Sequence, residues 1–314
     1  MAASGRAGEV VWGIIGCGDV CERKAGPALY GVPGSRLVAV MRRDAARAAD
    51  FARRHAVARW YASVDELLAD PEPTCIYVAT PDAAHAEMTI RAARAGKHVL
   101  VEKAMATSAA DCSEMIAVCR EAGVTLAVAY YRRCYPSILR ARALLDSGEL
   151  GRLRRLRIND EFPLSHRLDL MHFFAGDAAR IRIEPAELPP ASHAPRGPML
   201  HVLHTAGAES ITPLGWDENL VPEVLDLEAE NGRIRILDLK QGLLIVEQPG
   251  RPKQREQPGP LPATHWGLVQ NFVAHLLHGA ALACDGVEGR KSTVILDLVG
   301  QLAEGGGQAA VNYA

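Results

Sequence analysis

This sequence of 314 residues lacks any apolar run approaching the ~20 residues that cross a bilayer, since its strongest, Val10 to Ile15 and Val99 to Val101, are far shorter. No membrane span is expected. It also lacks an excess of either charge: 35 Lys and Arg stand against 37 Asp and Glu, a formal net charge of −2. Without a global field to gather a polyanion, nucleic acid is not an expected partner. Its cysteines lack order, being seven scattered residues with no CxxC pair, so reduced thiols acting mostly as small hydrophobes are expected rather than a disulfide framework. The first ten residues, MAASGRAGEV, lack the apolar segment of a secretory signal. A cytoplasmic location is the expectation.

What is present is an ordinary globular composition, 48% hydrophobic and 23% charged with a mean hydropathy of −0.01. At roughly 150 residues per domain the length suggests about two domains. From Val10 to about Leu126 the apolar runs VVWGII, RLVAVM, CIYVAT, HVLVE and TLAVAY alternate with stretches of helical period at Asp44 to His55, Val64 to Ala69, Ala83 to Ala95 and Ser108 to Glu121. That alternation is the signature of βαβ units around a parallel sheet. Gly96 and Gly123 stand where helices end, and Thr107 and Ser108 where one begins.

After Tyr130 the pattern changes, which places a boundary between residues 1–130 and 131–314. A helix from Pro136 to Ser147 leads to strand-like segments at Arg152 to Ile158, Met199 to Leu203, Val224 to Ala229, Arg233 to Leu237 and Leu243 to Glu247. Their alternation predicts a mostly antiparallel open sheet in an α+β domain. Glu184 to Pro198 and Pro249 to Pro262 read as Pro-rich loops. Helices at Trp266 to His278 and Lys291 to Ala303 close the chain, and the C-terminal helix can return to the first domain.

Gly16-Cys17-Gly18-Asp19-Val20-Cys21 follows the first strand and precedes a helical stretch, the position of a GxGxxG dinucleotide fingerprint with Cys in the third glycine's place. The first glycine permits the tight turn. The second admits a pyrophosphate to the backbone amides at the helix N-terminus, around Asp19 and Val20. Where the second strand ends, an NAD site would carry an acid for the ribose; this chain has Met41-Arg42-Arg43-Asp44. Two guanidinium groups suit a 2′-phosphate, so NADP(H) is preferred over NAD(H). The competing reading is a solvated basic turn with Asp44 capping the next helix.

The segments Ala79-Thr80-Pro81 with His85, and Ala95-Gly96-Lys97-His98-Val99-Leu100-Val101-Glu102-Lys103, resemble the Gfo/Idh/MocA family of glucose-fructose oxidoreductase and inositol dehydrogenase relatives, marked by ATPxxxH and AGKHVxxEKP. The resemblance continues through Ala129 to Arg133, Leu145 to Gly151, Asn271-Phe272-Val273 and Gly286 to Leu298. It implies a doubly wound Rossmann domain and a second α+β domain, with hydride exchanged between NAD(P) and an alcohol or carbonyl carbon of a sugar, cyclitol or related small molecule. It also implies a homodimer or homotetramer through the C-terminal sheet. By the same resemblance Thr80 and Pro81 line the nicotinamide end and His85 pins the following helix. Glu102 and Lys103 stand at the sheet's carboxyl edge, with Lys103 polarising the reacting oxygen.

The departures are specific. Ala104 replaces the proline of EKP, which would leave Lys103 less tightly held. The family's DxGxH acid and histidine fall on Phe162 and His166, so His166 is the candidate partner of Lys103 and the acid is missing. Asp160, Glu161 or Asp169 could substitute. Tyr131, Arg132 and Asp169 are candidate substrate contacts. These losses motivate two rival readings: a catalytically impaired dinucleotide-binding sensor or scaffold, and a reductase of an imine or other biosynthetic intermediate. The histidines His193, His201, His204, His275 and His278 lack metal-site spacing, and no metal is expected. Arg152, Arg154, Arg155 and Arg157 read as an ion-paired sheet surface.

Overall fold

In a computed structural model, residues 8–159, 163–184, 198–214, 224–239, 241–303 and 307–314 are described. The chain divides into two compact units, Met1–Tyr131 with Leu261–Thr293, and Arg132–Pro260 with Val294–Ala314.

In the first unit β1 (Val10–Ile15) leads through a π turn (Cys21–Ala25) and α1 (Gly26–Gly31) to β2 (Ser35–Met41). Then follow α2 (Ala45–Arg54), β3 (Arg59–Tyr61), α3 (Val64–Ala69), β4 (Cys75–Val78), α4 (His85–Arg94), β5 (His98–Val101), α5 (Ala109–Glu121) and β6 (Leu126–Val128). The six strands pair in parallel in the order β3-β2-β1-β4-β5-β6. Strands β1, β4 and β6 are buried at every position, as expected where both faces of a parallel sheet are covered. Capping follows the local chemistry: Ser108 accepts the Asp111 amide at 3.1 Å, and Gly96 and Gly123 end their helices at φ +73° and +67°.

The late segment closes this unit's core. Phe272, in the helix Trp266–His278, lies 5.1 Å from the Trp12 ring. A Cβ at Gly31 would stand 2.8 Å from Trp266, so glycine lets α1 and that helix approach. The final helix runs Gly286–Ala303, five residues longer at its start than its sequence pattern suggests. Asp285 caps it by accepting the Glu288 amide at 2.8 Å, and a side chain at Gly289 would collide with Val128 at 2.4 Å. Those glycines mark close packing on β6 rather than a loop.

In the second unit α6 (Pro136–Asp146) precedes β7 (Leu153–Asn159) and α7 (Leu164–Ala175). Strands β8 (Ala178–Glu184), β9 (Met199–His204), β10 (Glu209–Pro213), β11 (Val224–Ala229), β12 (Gly232–Asp238), β13 (Leu243–Glu247), β14 (Gln254–Glu256) and β15 (Gly307–Ala310) complete it. The nine-stranded sheet runs β14-β13-β12-β11-β7-β10-β9-β8-β15, antiparallel except for β7 with β10. Leu156, Ile158, Leu225, Leu227, Ile234 and Ile236 form its core with Leu168 and Met171 of α7.

The stretch Pro249 to Pro262 is corrected from loop to loop with a short edge strand, because Gln254, Arg255 and Glu256 pair with β13 while the prolines stay outside the ladder. Of the other loop, 185–197 lie outside the described residues and Glu184 belongs to β8. Two arginines of β7 are ion-paired: Arg154 meets Glu230 at 2.9 Å, and Arg155 lies near Glu209 and Glu228. No described helix is long and apolar enough to cross a membrane.

Candidate functional site

The carboxyl edge of the parallel sheet gathers the candidate residues of the first unit. Gly16 leaves β1 at φ +90°, and a Cβ there would stand 2.8 Å from the Ala79 carbonyl oxygen and 3.1 Å from the Thr80 methyl. Only glycine fits, on conformation and on space. The Gly16 and Cys17 amides donate to the Met41 carbonyl at 2.9 and 3.2 Å, which fixes the turn to the end of β2. Beside Gly18 the space is open, with only the Gly16 oxygen 3.8 Å from a would-be Cβ. Helical geometry begins at Asp19 and Val20. Cys21 is fully buried in the third glycine's place. The close approach is at Gly26, whose amide bonds Cys21 O across the π turn and where a Cβ would lie 2.2 Å from that oxygen.

The two thiols near this turn are packing groups. Burial pushes Cys17 up to about 11 against the opposing charge of Arg42, and burial raises Cys21 well above its ordinary value.

At the end of β2, Arg42 Nη1 donates to the Cys17 carbonyl at 3.3 Å, so one guanidinium is held against the glycine turn. Arg43 is exposed. Asp44 caps α2 by accepting the Arg47 amide at 3.1 Å and faces the Arg47 side chain at 3.4 Å.

Across β4 and β5, the buried His85 ring lies between two carbonyl oxygens, with Nε2 2.9 Å from Thr80 and Nδ1 2.8 Å from Ala104. One side chain thus ties the segment after β4 to the residue after Lys103. The Lys103–Ala104 peptide is cis although its second residue is not proline. Lys103 itself is half-buried. Pro81 begins the short 3-10 turn Asp82–Ala84, and the Thr80 hydroxyl is buried without a partner among the described residues.

Glu102 is the most constrained group. Its Oε1 accepts hydrogen bonds from the Tyr77 hydroxyl and from His265 Nε2 at 2.8 Å, and its Oε2 accepts the Lys103 amide at 3.1 Å. Burial alone would raise this carboxyl, but the bond and charge of His265, the Tyr77 hydroxyl and Lys103 outweigh it and hold Glu102 at about 2. The stability it contributes is therefore present above the ordinary carboxyl range and lost as pH falls from about 4.5 toward 2. Tyr77 and His265 carried no sequence signal. The tyrosine sits inside an apolar strand run, and the histidine is 163 residues from Glu102, beside the start of the late helix.

The remaining candidates have other settings. Tyr131 is buried, its ring 4.5 Å from that of His265. Arg132 belongs to the second unit and is 1% exposed. His166 and Asp169 share α7; both are buried, and Asp169 is bound by Arg133 through Nη2 at 2.8 Å and Nε at 2.9 Å. Asp160, Glu161, Phe162 and His193 lie outside the described residues. His201 bridges Glu184 and Glu209, His204 bridges the Gly176 carbonyl and Ser210, and no metal-binding group of side chains occurs among the described residues.

The open approach beside Gly18 and the unpartnered Thr80 hydroxyl fit a dinucleotide laid across the point where strand order reverses between β1 and β4. An oxidoreductase of Formosa agariphila is 40% identical over 143 residues, 46% of this chain and 44% of that protein. The 1,5-anhydro-D-fructose reductase of Ensifer adhaerens is 35% identical over 141 residues, 45% of this chain and 42% of its own. The matched stretch thus spans less than half the length of these relatives. An oxidoreductase from Agrobacterium radiobacter, solved with NAD+, L-tartaric acid and magnesium, superposes with a TM-score of 0.83 at 20% identity, covering 96% of this chain and 98% of that one. Over that coverage the chain shares that fold. Residues 10–130 match the profile of the Gfo/Idh/MocA oxidoreductase family, which describes an NAD-binding Rossmann fold.

Proposed function

We propose that this protein is an NAD(P)-dependent oxidoreductase acting on a carbinol or carbonyl carbon of a sugar, cyclitol or related small molecule, with NADP(H) preferred. The observation that carries the reading is the convergence of the Gly16 turn, Thr80, the His85 clamp and the Glu102–Lys103 pair on one sheet edge. Relatives named as a 1,5-anhydro-D-fructose reductase and a trans-1,2-dihydrobenzene-1,2-diol dehydrogenase, and a fold neighbour named as levoglucosan dehydrogenase, support the substrate class.

The Asp19 and Val20 amides and Gly18 would hold the pyrophosphate. Arg42 and Arg43 would hold the 2′-phosphate, and Thr80, Pro81 and Glu102 would line the nicotinamide end. When bound, the cofactor supplies or accepts the hydride. Lys103 donates a hydrogen bond to the reacting oxygen, polarising a carbonyl in reduction or stabilising the alkoxide in oxidation. His166 exchanges the proton, and Tyr131 and Arg132 contact substrate. With its carboxylate already bound by Arg133, Asp169 orients the start of α7 rather than serving as the missing acid.

Replacing Arg42 and Arg43 by Ala should weaken NADPH far more than NADH, since each charge-assisted hydrogen bond contributes roughly 1.5–3 kcal/mol. Fluorescence titration with both cofactors checks this; equal losses contradict the NADP preference. Self-association through the nine-stranded sheet belongs to the same proposal, and light scattering at micromolar concentration should return a dimer or tetramer mass. A monomer contradicts it.

A further inference from the structure

Glu102 has more hydrogen-bond donors than a residue needs merely to orient its neighbour. Three converge on its carboxylate: the Tyr77 hydroxyl from β4, His265 Nε2 from the segment before the late helix, and the Lys103 amide. His265 is itself wholly buried. Its amide reaches the Lys24 carbonyl at 3.4 Å, its ring packs on Tyr131, and its Nδ1 has no partner among the described residues. A carboxylate only accepts hydrogen bonds, so Nε2 is the protonated nitrogen and the ring is aimed at Glu102 as a donor.

Such a group neither takes up nor gives up a proton during turnover; it is a fixed negative charge in a place from which water is excluded. We propose that His265 is a positioning residue that keeps Glu102 ionised and immobile beside Lys103, and that this fixed charge makes the site bind oxidised nicotinamide in preference to reduced. The inference rests on the oxidoreductase reading, which puts the nicotinamide end at Lys103. The physical basis is differential affinity. The oxidised ring carries a positive charge and the reduced ring none, so a nearby anion stabilises one state over the other. Lys103 opposes this only partly, because it is half-exposed and screened whereas Glu102 is buried.

Among the described residues, the titratable groups that act on Glu102 are Tyr77, His265, Lys103 and the Cys21 thiol of the helical segment after β1. Burial raises Tyr77 and Cys21 well above their ordinary values, so both stay protonated through the neutral range. The pH response of a variant that lacks one of the donors to Glu102 would then come from Glu102 itself.

The test is equilibrium binding, by calorimetry or fluorescence, of the oxidised and reduced forms of the same cofactor to the full chain. Glu102→Gln should shift the ratio of their dissociation constants toward the reduced form by on the order of tenfold, the size expected for one unit charge several ångströms away at intermediate dielectric. His265→Phe leaves the carboxylate with two donors in a buried site, so the ratio should become pH-dependent, moving toward the Glu102→Gln value as pH falls. His265→Gln, which retains an N–H donor, should restore the flat profile of the parent. Tyr77→Phe removes a different donor and should give the same trend as His265→Phe if that variant does not fold. A Glu102→Gln protein that binds both forms with the parent's ratio overturns this inference and leaves the cofactor reading intact. A parent protein that binds neither form overturns both.

Discussion

Lys103→Met should retain the cofactor and lose turnover by on the order of 10²–10⁴-fold, the contribution typical of a single positioned proton donor or charge. Methionine matches lysine in length and keeps the methylene stem packed. Its backbone amide still donates to Glu102, and the carbonyl of the following Ala104 still meets His85. The glycine turn, built from Gly16, Cys17 and Met41 backbone atoms, does not involve this side chain. What is removed is the ammonium alone. Cofactor titration and initial rates on one protein preparation separate the two effects. A variant that turns over like the parent would remove Lys103 from the proposed chemistry.

Arg133→Met should destabilise the second unit by about 3–5 kcal/mol, because it strips a buried carboxylate of the guanidinium that binds it. Asp169 is wholly buried, and Arg133 reaches both its oxygens at 2.9 and 3.0 Å through Nε. Arg133 also lies over the Phe173 ring at 5.4 Å, so the substitution removes a cation–π contact as well. Urea unfolding followed by circular dichroism checks the magnitude. A loss below about 1 kcal/mol would mean that the pair is no more than a surface-like bridge. The double change Arg133→Met with Asp169→Leu should recover part of the loss, since an apolar pair removes the buried charge that has lost its guanidinium.

The first unit was legible because a parallel sheet covered on both faces writes its strands as continuous apolar runs. VVWGII, HVLVE and CIYVAT can be read without knowing their neighbours. β3 was not legible, since it is three residues at the sheet edge, with Arg59 and Tyr61 half-buried and Trp60 exposed. In the second unit β8 exposes Arg180 and Arg182, and β10 buries Ser210 and Thr212 while Ile211 is only half-buried, so both resemble polar connections until their partners are known.

The same division holds for the candidate site. The residues whose roles follow from the local backbone were visible in short motifs: Gly16 at its positive φ, Gly18 on the open side of the turn, and Lys103 after β5. Tyr77 and His265 were not, because what makes them part of the site is a shared partner 25 and 163 residues away. Ala104 shows the limit from the other side. Its substitution for proline suggested a loosened Lys103, yet the Ala104 carbonyl is held by His85, a residue the motif already contained.

The central claim is hydride transfer at the edge where Lys103 stands. The most direct measurement supplies NADPH deuterated at the transferable position together with a panel of keto-sugars, keto-cyclitols and related carbonyl compounds, and follows the label by mass spectrometry for the parent and Lys103→Met side by side. The account predicts deuterium on a carbinol carbon of one product class with the parent and none above background with the variant. Cofactor that binds with a defined stoichiometry but transfers no label to any member of the panel would contradict it and point instead to a protein that reads the dinucleotide without using it.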